Sequence, residues 1–199
     1  MTSRRKFLVA TGAALLAGCG SDSDGLTITR DDPTDDDGTD VPAQTDPLVV
    51  SSDAFDDGET IPERHTGVGE DVSPPLTVES APAAAETYAL VMDDPDADDY
   101  LHWLIWNVPA ETTEIPEEIP RTESVDSLDG ARQGTNDFGE IGYRGPLPPT
   151  DDGPHTYRFS AYAVDTTLDL EAGAGRGPLE SALDGHVLNG YAFTGRFER

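Results

Sequence analysis

The chain has 199 residues, with 40 acidic side chains against 12 basic ones and a formal charge of −28. A field of that sign repels nucleic acid and anionic lipid headgroups, so neither is expected as a partner of the folded surface. A single cysteine, Cys19, excludes an intrachain disulfide, and the length suits one domain with appendages.

The chain opens with a twin arginine, Arg4 and Arg5, followed by Phe7, Leu8 and a short apolar run of small residues ending at Leu16-Ala17-Gly18-Cys19. That run is too short to span a bilayer comfortably and fits an export signal, and the paired arginines indicate export of an already folded protein. Its ending resembles a lipobox, in which Cys19 becomes the lipidated first residue of the mature chain. The expectation is a twin-arginine lipoprotein signal over 1–18, with the protein exported and anchored on the outer face of the cytoplasmic membrane through Cys19. Cleavage removes Lys6, the only lysine, and leaves nine arginines against all 40 acidic groups. A carboxylate-rich, lysine-free surface suits molar salt, where the screening length shrinks to about 3 Å, and predicts a halophilic protein. Residues 19–47 are rich in Asp, Thr, Ser, Gly and Pro. They hold too little apolar surface to offset the entropy of ordering, which predicts a disordered acidic tether. The tether lacks the ligand spacing and closing glutamate of an EF-hand, so no metal is expected there.

The folded domain is expected over 48–199. Short β-type runs alternate with turn-forming clusters at 48–52, 75–80, 87–93, 102–109, 155–165 and 191–197. Only Leu179 to Leu188, entered through Pro178, reads as a helix. The pattern predicts a mainly β domain, antiparallel and in two layers, with a short C-terminal helix. Alternation along 102–109 puts His102, Leu104, Trp106 and Val108 on one face and Trp103, Ile105 and Asn107 on the other, as in a strand covered on both sides. The same rule aligns Tyr88, Leu90, Met92 and Asp94, and aligns His155, Tyr157, Phe159 and Ala161. Three apolar rows therefore end in a polar group, Asp94, His102 or His155, which is a plausible ligand mouth.

Six motifs in order carry a resemblance to a known family: DVSPPLTVES (71–80), DDPDA (93–97), HWLIWNVP (102–109), GARQGTNDFGEIGYRGPLPP (130–149), HTYRFSAYAVD (155–165) and GHVLNGYAFTGRFER (185–199). Together they resemble the phosphatidylethanolamine-binding proteins, in their bacterial and archaeal Raf-kinase-inhibitor-like branch. The resemblance implies a large central antiparallel sheet with a smaller sheet against it and a shallow anion-accepting pocket. Carried over residue by residue, that pocket consists of Asp94, Asp96, His102, Gly145, Pro146, His155 and Tyr157. Two positions depart from the family pattern: Asp98 stands where many relatives have proline, and Arg144 stands where many have glycine.

A phosphate needs donors, which imidazolium groups, the Tyr157 phenol and loop amides near Gly145 can supply. An aspartate beside a histidine can fix its tautomer, and Asp94 or Asp96 can alternatively receive a ligand ammonium. The resulting expectation is an exported, lipid-anchored binding protein for a small anionic, phosphate-bearing ligand, with no cofactor and no metal. Two competing readings are a hydrolase using the Asp–His cluster and a protein-interaction or inhibitor module. The first lacks a G-x-S-x-G nucleophile elbow, and the second needs a kinase partner that an exported protein would not meet.

Overall fold

The computed structural model describes residues 46–199. The expected signal, Cys19 and nearly all of the tether lie outside them. Among the described residues, nine strands form two antiparallel sheets. The smaller has the order β1 (Val49–Ser51), β2 (Leu76–Ser80), β5 (Glu114–Ile115). The larger has the order β6 (Ser124–Val125), β7 (Ala131–Gln133), β4 (Tyr100–Pro109), β3 (Thr87–Asp94), β8 (His155–Val164), β9 (Val187–Phe197).

Every residue of β3 is buried, as its place between two long strands demands. Its two faces serve two cores. Tyr88, Leu90 and Met92 face the smaller sheet and pack with Trp103, Ile105, Tyr157 and Phe159, together with Leu48 and, from the smaller sheet, Val50 and Leu76. Ala89 and Val91 face the other way and pack with Leu104, Trp106, Leu179 and Leu183. Leu179 and Leu183 belong to the one α-helix among the described residues, α1 (Arg176–Leu183), and their four-residue spacing puts both on its inner side. Removing Leu179 or Leu183 from water stabilises the fold by about 1.5–3 kcal/mol.

The helix differs from the expected 179–188. It starts before Pro178, which is tolerated in a first turn, and it stops at Leu183 because Asp184 is already extended and Gly185 takes a left-handed φ of 79°. Val187 and Leu188, expected as the end of the helix, instead open β9, where Val187 pairs with Val164 of β8. Strict alternation also fails along β4. Its pairing with β3 slips twice, once between Leu101 and Trp103 and once between Ile105 and Val108. The second slip contains Asn107, held at a left-handed φ of 57° by hydrogen bonds to and from the Leu168 backbone. As a result Trp103, Ile105 and Val108 share the core between the sheets, while Leu101, Leu104 and Trp106 share the helix side. The first slip makes His102 the extra residue of a bulge, and bulges re-aim side chains.

Candidate functional site

The bulge turns His102 toward the core between the sheets, where its ring meets the edge of Tyr157 at 5.2 Å. Asp94 ends β3 on that same side and His155 begins β8 beside it, so the Asp94 Oδ2 atom lies 2.7 Å from His155 Nδ1. The Tyr157 ring, two residues along β8, stacks at 6.5 Å from that of His155. Four of the seven expected residues thus form one contiguous cluster. The anticipated open mouth is nearly closed: Tyr157 is 0% exposed, Asp94 and His102 are 3%, and His155 is 8%.

The remaining three residues brace the cluster. Asp94 caps the short turn Pro95–Ala97 by accepting from the Asp96 amide through Oδ1, which leaves Oδ2 for His155. Asp96 in turn accepts from the Thr156 amide at 2.7 Å, tying the turn to β8. The Gly145 amide, an anticipated anion donor, is already committed to Asp71 Oδ1 at 2.7 Å. Gly145 is required for close approach instead, because a Cβ there would fall 2.4 Å from the His65 carbonyl oxygen. Pro146 is buried, and its carbonyl accepts from the Gly67 amide.

Both family departures have a visible outcome. Asp98 adopts a φ of 55°, which proline cannot reach, so the turn after DPDA takes a different path from one built on proline. Arg144 is directed away from the cluster: its Nη1 pairs with Asp71 at 2.8 Å, and its guanidinium lies 5.5 Å over the Phe138 ring, which itself packs edge-on against His102.

The chemistry follows from which ring nitrogens are occupied. His102 Nδ1 lies 2.7 Å from the Arg144 carbonyl oxygen, and a carbonyl can only accept, so Nδ1 carries the proton. Burial pushes the His102 imidazole down, against the pull of the Arg144 carbonyl and the Asp94 charge, and so favours the neutral ring. That direction runs against the anticipated imidazolium at His102. Its Nε2 holds a lone pair and makes no hydrogen bond among the described residues. His155 holds its Nδ1 proton in the same way but donates it to a carboxylate, Asp94 Oδ2, and its Nε2 is aimed outward toward Asp152 Oδ2, 3.9 Å away. The Tyr157 phenol is pushed up, mainly by burial and further by the Asp94 charge, so it remains a donor; its hydroxyl is buried and has no hydrogen-bond partner among the described residues.

Two residues to which the sequence pointed weakly or not at all hold this arrangement. Asp71 binds the Gly145 amide, Arg144 and Arg121 together, and His65, 3% exposed, supplies the carbonyl that accepts from the Tyr143 hydroxyl at 2.6 Å. Asp71 sits inside DVSPPLTVES with a left-handed φ of 60°, a conformation that aspartate tolerates better than most residues. His65, in a turn-rich segment, gives no periodic signal.

A two-sheet β domain with a buried carboxylate–imidazole pair at the strand ends defines a class, and comparison with known proteins places the chain within it. The profile of the family described as phosphatidylethanolamine-binding protein matches residues 51–198. The chain is 46% identical over 154 residues to a UPF0098 protein of Pyrococcus horikoshii, covering 76% of this chain and 77% of that one. It is 36% identical over 183 residues to a Mycobacterium tuberculosis protein named "Putative lipoprotein LppC", covering 87% and 86%. Among solved structures it resembles YbcL of Escherichia coli, described as a member of the mammalian family, with a TM-score of 0.70, 28% identity and coverage of 76% of this chain and 98% of that one. A Chlamydia trachomatis homologue of the same family matches with a TM-score of 0.69, 32% identity and coverage of 77% and 98%. The chain belongs to the phosphatidylethanolamine-binding protein family.

Proposed function

We propose that the Asp94, His102, His155 and Tyr157 cluster binds a small phosphate-bearing ligand that still carries one P–OH group. The observation behind this reading is that a carboxylate, Asp94, faces the Nδ1–H of His155, whereas a neutral carbonyl faces that of His102. Doubly protonated opposite the Asp94 carboxylate, His155 donates through Nε2 to phosphoryl oxygens, as the Tyr157 hydroxyl does, while the lone pair on His102 Nε2 calls for a proton on the ligand. Asp152 faces His155 Nε2 as an internal carboxylate, and the ligand takes its place. Sulfate matches phosphate in shape but has no proton for His102 near neutral pH. Calorimetry at pH 7 should find phosphate bound about tenfold more tightly than sulfate, a difference of about 1.4 kcal/mol for one lost acceptor contact. Equal affinity would remove the role given to His102.

The same reading places the binding domain outside the cell on a lipid anchor at Cys19. It is supported by the Leu16-Ala17-Gly18-Cys19 ending and by the relative named as a lipoprotein, which aligns over 87% of this chain. Cys19→Ser should shift the protein from the membrane fraction to the medium. Unchanged membrane retention would contradict the anchor.

A further inference from the structure

On the face of the larger sheet opposite the cluster, β3, β8 and α1 enclose a recess of about 360 Å³. That volume lies in the range of small-molecule sites, about 300–1,000 Å³. Its wall is divided by chemistry. Val91, Leu179 and Leu183 give an aliphatic side, and Arg158, Arg176 and Asp93 give a charged end, with Glu180 lining the recess as well. Asp93 is 1% exposed, and its carboxylate is held by Arg158 through two hydrogen bonds of 3.0 and 2.8 Å and by Arg176 at 3.0 Å.

The two guanidiniums have donors to spare. Arg158 spends Nε and Nη2 on Asp93 and Asp99, and Arg176 spends Nη2 on Asp93 and the Asp99 carbonyl. Among the described residues, Nη1 of Arg158 and both Nε and Nη1 of Arg176 bond nothing. Asp99 is a solvent-side competitor, 60% exposed at its side chain and therefore well screened, whereas Asp93 is buried behind the pair. Two of the eight arginines among residues 46–199 thus converge on one recess in a chain of net charge −28. A bare anion would use those donors but would also meet Glu180. A molecule bearing both charges uses all of them.

We propose that this recess binds a small zwitterion of the amino-acid type with an aliphatic side chain. Its carboxylate meets the free N–H groups of Arg158 and Arg176, its ammonium meets Glu180, and its side chain lies against Leu179, Leu183 and Val91. The site is independent of the phosphate reading, since Asp93 and Asp94 point to opposite faces of β3.

The test is calorimetry on the full-length protein with leucine, with isocaproate, which keeps the skeleton and carboxylate but lacks the amine, and with isoamylamine, which lacks the carboxylate. Leucine should bind, and both fragments should bind at least about tenfold more weakly. Glu180→Gln alters an exposed side chain and should leave the fold intact; it should weaken leucine at least fivefold and leave isocaproate no weaker than before. His155→Gln should leave leucine binding as it is. The proposal is overturned if leucine gives no binding at millimolar concentration, if isocaproate matches leucine, if Glu180→Gln has no effect, or if His155→Gln abolishes leucine binding and so moves the ligand to the other face.

Discussion

Asp93 and Asp94 are adjacent on one strand and almost equally buried, yet their environments differ in kind. Strand alternation sends Asp93 to the helix side, where two guanidiniums hold it, and Asp94 to the side between the sheets, where one imidazole holds it. Arginine never loses its charge at ordinary pH, so the first carboxylate is neutralised permanently and acts as a rivet between β3, β8 and α1. Histidine can lose its charge and offers a second nitrogen, so the second carboxylate orients a group that still has bonding capacity to give away. Burial alone does not distinguish the two carboxylates; what separates them is whether the partner's charge is fixed or can change.

That contrast predicts unequal costs when each partner is removed. Arg158→Ala withdraws both hydrogen bonds of a bidentate pair from a carboxylate that is 1% exposed, and it should cost about 3 kcal/mol, at the lower end for breaking a buried ion pair because Arg176 remains. His155→Ala withdraws one hydrogen bond from Asp94, which keeps the Asp96 amide, and should cost about 1.5–2 kcal/mol. Urea unfolding of the two variants checks the order. A larger loss for His155→Ala would reverse the assignment of rivet and receptor.

A smaller effect concerns pH. The unfolded His102 imidazole takes a proton near pH 6.5, whereas burial holds the folded one below that value. Between those two values the unfolded state binds more protons than the folded state, so His102 makes stability fall as the pH drops through that window. His102→Gln should remove this component. Unfolding free energies at pH 7.5 and 5.5 should therefore differ less in the variant than in the parent protein, and identical pH slopes would show that His102 is not held neutral.

The long strands were legible because each satisfies its burial locally: β3 and β8 carry their apolar rows in period two, and the observed spans of 87–94 and 155–164 follow them closely. The short strands β5 to β7 were not, since two or three residues carry no period. Along β4 the alternation rule wrongly put His102 and Val108 on the face of Leu104 and Trp106, because two slips in pairing are written in the partner strand's register and not in β4 itself. Asp94, His155 and Tyr157 could be placed together from their rows, while His102 reaches them only through the bulge. The roles of Asp71 and Gly145 depend on contacts across 74 residues of chain, which no local pattern reports.

The most direct test of the central claim, that His155 Nε2 is an anion receptor facing a built-in competitor, is phosphate binding to an Asp152→Asn variant. Asp152 is exposed and lies 3.9 Å from Nε2, so the substitution should leave the fold unchanged and remove the charge that an incoming phosphate must displace. Calorimetry at pH 7 should show affinity rising about threefold to tenfold, in keeping with one exposed ion pair of up to about 1 kcal/mol and the loss of a repelling charge. Unchanged or weaker phosphate binding in Asp152→Asn would contradict the account.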